Sequence, residues 1–327
     1  MLIKDFQPFV GVHCETTTTG SLVKQLGITL TEPMLFGLGQ GLGFIFWNMK
    51  LMDFPFIGGR VKPLALTQSL ADNLHLTLEI KETSSAKKAW SNVVECIDQG
   101  ITVGLQLDSY YLEYFSIKFH FAGHFVVMYG YDETNAYLVD TKPNGGMAKT
   151  SLQSLAQARS EKGPMAAKNL MYTLQKSGRD YDIKRAIITA ASNNAKEYLN
   201  PPIKNLGYQG IQKTSVEIKK WFKNSKDVEK EFCTTAMLME QAGTGGALFR
   251  NLYRDFLQQA YSITKLEPFE TAQKQFVDIA KHWTRVAELI DTAGKTHEER
   301  HITEAAEILV DLSEKEYAAM KLLEEIR

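Results

Sequence analysis

Strand-forming stretches stop near residue 178, and this limits the chain to an α/β part followed by an all-helical part. Before that point, residues 74–80 alternate as a strand, and 86–99 read as an amphipathic helix closed by Gly100. Three further strands follow at 101–107, 125–131 and 136–139, the last two joined by a tight turn at 133–135. Residues 169–175 supply one more. Thr31-Glu32-Pro33 reads as a helix start, with a hydroxyl cap and a proline in the first turn. The apolar run 34–47 reads as a buried helix-and-turn segment. After Ser177-Gly178-Arg179-Asp180 the periodicity is helical, at 181–199, 227–241, 247–261, 268–293 and 298–326. The expectation is therefore an α+β domain over 1–177 with an antiparallel sheet, then an all-α domain over 178–327.

The chain has 327 residues, enough for two domains, and its 37 basic and 38 acidic residues give a net charge of −1. That balance gives no reason to expect nucleic acid or an acidic membrane as partner. The N-terminus lacks the layout of a signal peptide, and no apolar run is long enough to cross a bilayer. Three scattered cysteines, Cys14, Cys96 and Cys233, form neither a disulfide framework nor a metal-binding pair, which suits a reducing cytoplasm. Cys96 and Cys233 lie on apolar helical faces and read as structural. No HExxH or paired Cys/His set suggests a metal. The glycines at 37, 39, 41 and 43 do not fit a nucleotide loop, because no GxGxxG can be laid over them and no Walker lysine follows. They read as permitting close backbone packing near the site.

The chemistry concentrates elsewhere. Cys14 stands among polar neighbours, His13, Glu15 and four consecutive threonines; His124 opens an apolar strand; Asp140 follows sixteen residues later. A thiol early, then a histidine, then a carboxylate is the order of a papain-like Cys-His-Asp site. An imidazole oriented by a carboxylate is what makes a thiol nucleophilic at neutral pH. A helix N-terminus at Cys14 adds backbone N–H groups that favour thiolate and hold an oxyanion, although Thr16 to Thr19 are poor helix formers. Two other histidines compete as base: His13, whose adjacency points it to another side, and His120, which shares strand parity with His124. In a hairpin turning at 133–135, Asp140 lies opposite Met128, about 13 Å of ideal strand from His124. A bulge, a twist or an early strand end has to close that gap.

His13-Cys14-Glu15-Thr16-Thr17, the block from Leu30 to Phe44, Asp108 to Tyr114, Gly123 to Val127 and Gly130-Tyr131-Asp132 together resemble the butirosin biosynthesis protein H family. The second half resembles its usual helical domain, through Tyr198-Leu199-Asn200-Pro201-Pro202, Leu206 to Ile211 and Gly243 to Tyr253. The resemblance implies a papain-like, cysteine-protease-type N-terminal fold and acyl transfer rather than proteolysis. By that likeness Cys14, His124 and Asp140 are nucleophile, base and orienter. The acyl group would come from the phosphopantetheine thioester of an acyl or peptidyl carrier protein and pass to a small-molecule amine in antibiotic assembly, with no bound cofactor. Gln7 is a candidate oxyanion donor, and Asp108, Tyr111 and Tyr114 are candidates to hold the amine. Arg250 and Arg254, after the second glycine cluster, are candidates to meet the carrier's phosphate. Two other readings share these residues: a peptidase or amidase with the same triad, and a scaffold kept as a non-catalytic carrier-binding module. The oligomeric state is left open.

Overall fold

A computed structural model describes residues 1–49, 52–116 and 118–326. In chain order the elements are α1 (Cys14–Gln25), α2 (Glu32–Leu38), β1 (Leu42–Trp47), β2 (Phe56–Arg60), α3 (Ala65–Asn73), β3 (Leu76–Lys81) and α4 (Ala86–Asp98). Then come β4 (Val103–Leu107), β5 (His124–Tyr131), β6 (Asn135–Val139), β7 (Met147–Ser151), α5 (Leu152–Ser160) and β8 (Met171–Lys176). The helical part holds α6 (Ile183–Leu199), α7 (Gly207–Asn224), α8 (Val228–Gln241), α9 (Arg250–Thr264), α10 (Glu267–Thr296) and α11 (Glu299–Glu324). The architecture is mixed α/β with an antiparallel sheet and a helical C-terminal region. The chain forms two compact units, Met1–Leu35 with Pro63–Tyr181, and Phe36–Lys62 with Asp182–Arg327.

In the first unit, six strands run β3-β8-β4-β5-β6-β7, each antiparallel to its neighbours. One face packs on α1: Tyr172 of β8 reaches Thr19 of that helix through its hydroxyl (3.2 Å), and lies so close to Gly104 that a Cβ there would meet its ring. The opposite face carries the main apolar core, where Leu105, Val126, Met128 and Leu138 pack with Val93 and Ile97 of α4 and Leu155 and Ala158 of α5. The helices start where the sequence offers a cap. Ser85 accepts from the Lys88 N–H (3.3 Å) at α4, and Ser151 from the Ser154 N–H (3.1 Å) at α5. Gly100 ends α4 with φ +78°.

Helix α1 overrides its own composition. All residues from Cys14 to Val23 are buried, and each threonine hydroxyl has a partner. Thr16 bonds the His13 carbonyl and Glu32, Thr18 the Cys14 carbonyl, Thr19 the Thr67 hydroxyl, and Thr17 accepts from the Gly11 N–H. Tertiary hydrogen bonds and burial outweigh a few tenths of a kcal/mol of poor propensity per residue.

The run 34–47 departs from expectation. It is helical only through Leu38; Gln40, in the left-handed region at φ +53°, turns the chain into β1. Strand β1 pairs antiparallel with β2, and Gly43 lies against the Arg60–Val61 backbone, where a Cβ would be 2.8 Å from the Arg60 carbonyl carbon. Gly37 lies against the Phe256 ring in the same way. The glycines therefore do permit close packing, within the second unit. A single cut near 178 does not describe the units, because Phe36–Lys62 groups with the helices. Residues up to Tyr181 group with the first unit, where the Asp180 carbonyl bonds the His75 ring (2.8 Å).

The second unit is organised around a fully buried ion pair. Arg250, opening α9, bonds both oxygens of Glu316 through Nε (2.8 Å) and Nη2 (2.9 Å), and lies 4.7 Å over the Trp283 ring. Glu316 also accepts from Trp283 Nε1 (2.6 Å) and from the Tyr198 hydroxyl. Removing one partner leaves a naked buried charge. Glu316→Ala is expected to lower stability by about 3–5 kcal/mol, whereas Arg250→Met with Glu316→Leu together is expected to be milder. Urea unfolding checks this; a loss for Glu316→Ala below about 1 kcal/mol would contradict the description of the pair.

Candidate active site

Cys14 is the first residue of α1, and the segment leading into it is held by a carboxylate. Glu32, at the start of α2, accepts from the backbone N–H of Val12 and His13 (2.9 Å each) and from the Thr16 hydroxyl (2.8 Å). Glycine at position 11 leaves room for that carboxylate, since a Cβ there would fall 2.4 Å from it and push it aside. The Gly11 carbonyl in turn accepts from the Lys142 N–H at 2.7 Å. The loop before Cys14 is thus tied directly to the loop after Asp140.

The hairpin solves the problem of reach. The pairs Tyr131↔Ala136 and Gly130↔Tyr137 give way to Met128↔Leu138 and Val127↔Val139, so Tyr129 is the extra residue of a β-bulge. Without it, Asp140 would fall opposite Val127 and on the wrong face, since a one-residue slip flips every side chain. With it, Asp140 continues the register opposite Val126, two residues from His124 and on the same face. That is about 6.6 Å of strand instead of 13. Strand β6 ends at Val139, which frees Asp140 to close the remainder.

His124 Nε2 and Asp140 Oδ2 are 2.8 Å apart, and the Cys14 thiol lies near enough to the same imidazole to act on its pKa. With Nε2 turned to the carboxylate, Nδ1 is left for sulfur. Both Cys14 and His124 sit at the first residue of their elements, so they meet at the sheet margin. They are buried yet not sealed, at 7% and 6% exposure. The Phe115 ring stands edge-on to the imidazole, 5.4 Å away at 87°. Asp140 has every oxygen engaged. Oδ2 also accepts from the Tyr114 hydroxyl (2.7 Å), and Oδ1 accepts from the Thr141 N–H (2.6 Å) and Asn144 Nδ2 (3.1 Å).

Burial alone would depress the His124 pKa, but the Asp140 charge and hydrogen bond, with Cys14 adding to them, carry it up to about 10. Burial would raise the Asp140 carboxyl; the His124 charge and its donors outweigh that and hold it below the ordinary range. Tyr114 is pushed well up by burial and by the Asp140 carboxylate, so it stays a donor. The folded-state pKa of His124 lies above its unfolded value of about 6.5. The stability it contributes is therefore fully present below about 6.5 and lost as the pH climbs through about 10. The melting temperature is expected to fall between pH 7 and 10.5, and to fall less steeply in His124→Gln. Identical slopes in the two proteins would count against the ion pair.

Of the two rival histidines, His120 is engaged elsewhere. His13 precedes α1, where its carbonyl accepts from the Thr17 N–H (2.9 Å). His120 is 2.9 Å from Asp108 Oδ2, largely exposed, and stacked on Tyr110. Asp108 is buried, accepting from the Tyr110 and Phe121 N–H groups (2.9 Å each), and Tyr111 donates to Glu161 (2.6 Å). Of the three residues expected around an amine, Tyr114 alone bonds one of Cys14, His124 and Asp140, donating to Asp140. Gln7 is exposed in the segment before α1. Arg250 requires a correction: it is fully buried against Glu316, so no docking partner's phosphate can reach it. Arg254 is partly exposed and bonds Asp255 and Asn251. From the sequence Glu32 reads only as part of a helix start, and for Thr141 and Asn144 the one hint is Gly145-Gly146, a turn signal directly after Asn144. Among the described residues no group of three or more His, Cys, Asp or Glu could hold a metal ion, and no helix is long and apolar enough to cross a membrane.

The family model described as "Butirosin biosynthesis protein H, N-terminal" matches residues 13–141, a span that begins one residue before Cys14 and ends one after Asp140. A second, described as "Domain of unknown function (DUF4872)", matches 153–323. The chain belongs to the second of these families, which spans more than half of it, and its N-terminal part is similar to the N-terminal domain of butirosin biosynthesis protein H. No curated protein matches it. Within this family pattern the first match contains the whole Cys14–His124–Asp140 constellation, while the second covers α6 to α11 almost completely.

Proposed function

We propose that this protein is a papain-like, cysteine-dependent acyltransferase that moves an acyl group from a carrier-protein thioester to a small-molecule amine in antibiotic biosynthesis. The observation that carries the reading is the His124 ring, bonded to Asp140 at 2.8 Å and lying beside the Cys14 thiol at the start of α1. Support for the fold comes from a buried helix led by the nucleophile against an antiparallel sheet whose β5 opens with the base. Support for the pathway class comes from the N-terminal likeness to butirosin biosynthesis protein H.

With the proton of the Cys14–His124 pair held on the imidazole, the Cys14 sulfur attacks the thioester carbonyl of a phosphopantetheine-bound acyl group. Backbone N–H groups at the α1 N-terminus hold the oxyanion, with Gln7 as a further donor. The carbon–sulfur bond to phosphopantetheine breaks, the carrier thiol takes the proton from His124, and acyl-Cys14 forms. A neutral amine then attacks acyl-Cys14, His124 accepts its proton, and the Cys14 thiol leaves reprotonated as the amide departs. Thioester to amide runs downhill, so no nucleotide takes part. Asp140, held by Tyr114, Thr141 and Asn144, keeps the imidazole turned toward sulfur throughout. Asp108 and Tyr111 line the same β4–β5 connection and are proposed amine contacts. Arg254 is the remaining candidate for the carrier surface.

Incubating the protein with an acyl-pantetheine thioester, with and without a panel of amines and diamines, tests the reaction. Amide should form in proportion to amine. Free acid at the same rate in every tube would replace transfer by hydrolysis, and no turnover with Cys14 unmodified would leave a non-catalytic carrier-binding module.

A further inference from the structure

The first unit holds a second polar feature that the acyl-transfer chemistry does not use. Arg159, in the last turn of α5, is 4% exposed and lines a cavity of about 150 Å³ between α4 and α5. Its guanidinium carries five N–H groups. Nη1 reaches the Ala89 carbonyl at 3.4 Å and Nη2 the Asn169 carbonyl at 3.0 Å, while Nε is buried with no acceptor. No carboxylate among the described residues pairs with it, and burial alone pushes its pKa down, to about 10. A guanidinium out of water without a counter-charge is an unfavourable burial. The carbonyl end of α5 offsets part of it. Elsewhere in this molecule, the buried Arg250 has its Glu316.

Apart from Asn169, the rest of the lining is alanine, leucine and tryptophan. Trp90, Leu152 and Leu155 form walls, and exposed Ala86 and Ala156 stand at the rim, so the space opens to solvent. Asn169, held in the left-handed region at φ +51° with its side chain on the Thr83 carbonyl (3.0 Å), presents its own carbonyl to Arg159. This fixes the guanidinium at the cavity wall.

We propose that the α4–α5 cavity binds a small organic carboxylate with an apolar body, its carboxylate paired with Arg159. A planar carboxylate fits an Arg edge with two parallel hydrogen bonds. The largely apolar walls favour an anion with an apolar body over a phosphate, which is polar all round. A space of about 150 Å³ accepts a body the size of a six-membered ring or a branched five-carbon chain. The site takes one charge and one apolar group, a pattern typical of small-molecule pockets.

Calorimetric titration of the full chain with benzoate and with 3-methylbutanoate tests this, using benzamide as the neutral isostere and inorganic phosphate as the polar anion. Both carboxylates are expected to bind, with benzamide at least about tenfold weaker because a charge-assisted bond is lost. Ala156→Trp, which fills the rim and leaves Arg159 untouched, is expected to weaken the carboxylates at least about tenfold. Arg159→Met should do the same, and Ala156→Trp decides the matter if that variant does not fold. Equal binding of benzamide, tighter binding of phosphate, indifference to Ala156→Trp, or no heat up to about 10 mM carboxylate would each overturn the proposal.

Discussion

Cys14→Ala is expected to lower kcat/KM for acyl transfer from a thioester at least about 10⁴-fold, the scale on which losing a covalent nucleophile acts. Stability should move little, by about 1 kcal/mol. Alanine fills most of the same space, and the helix around it is fixed by Glu32, Thr17 and Thr18 rather than by the sulfur. Steady-state rates with an acyl-pantetheine donor, alongside a thermal melt, separate the two effects. A variant that melts like the parent yet keeps more than about a tenth of its activity would remove Cys14 from the mechanism.

Asp140→Asn is expected to cost nearly as much, about 10³–10⁴-fold in kcat, by a different route. The carboxylate accepts from four donors: His124, Tyr114, Thr141 and Asn144. An amide has one acceptor oxygen, so if that oxygen stays with Thr141 and Asn144, its NH₂ faces two groups that also donate. His124 then loses both the charge that keeps it protonated and the bond that turns Nδ1 toward sulfur. The signature is a kcat loss with KM nearly unchanged, together with a His124 pKa that falls back toward the ordinary range, read by NMR titration of the ring. Asp140→Asn with a normal kcat, or with an unaltered His124 titration, would mean that the carboxylate does not orient the base.

Local signals carried much of this in the sequence. Helices α4, α8 and α10 have polar caps or an N-terminal proline and sustained periodicity, and strands β3, β5 and β6 alternate or run apolar between turn residues. Elsewhere the local signal is ambiguous. The run 34–47 is apolar without a clear period, so β1 could not be told from a continuing helix, and its partner β2 went unmarked. Helix α1 was legible only through Cys14, since four threonines argue against it and are reconciled by hydrogen bonds to residues as distant as Thr67 and Tyr172. The residues of the site were visible as a pattern of types, but their convergence was not. It depends on a one-residue bulge at Tyr129 that no local rule announces, and on Tyr114, whose bond to Asp140 spans 26 positions. Arg250 shows the converse hazard: a cation after a glycine turn looks solvent-facing until its partner, 66 residues on, is seen.

The most direct measurement is mass spectrometry of the intact protein after brief exposure to an acyl-pantetheine thioester without amine, followed by peptide mapping. One acyl group should be found on the peptide bearing Cys14, none on those bearing Cys96 or Cys233, and the adduct should be discharged by added amine as amide appears. An acyl mass on another residue, or turnover to amide with Cys14 never modified, would contradict the account.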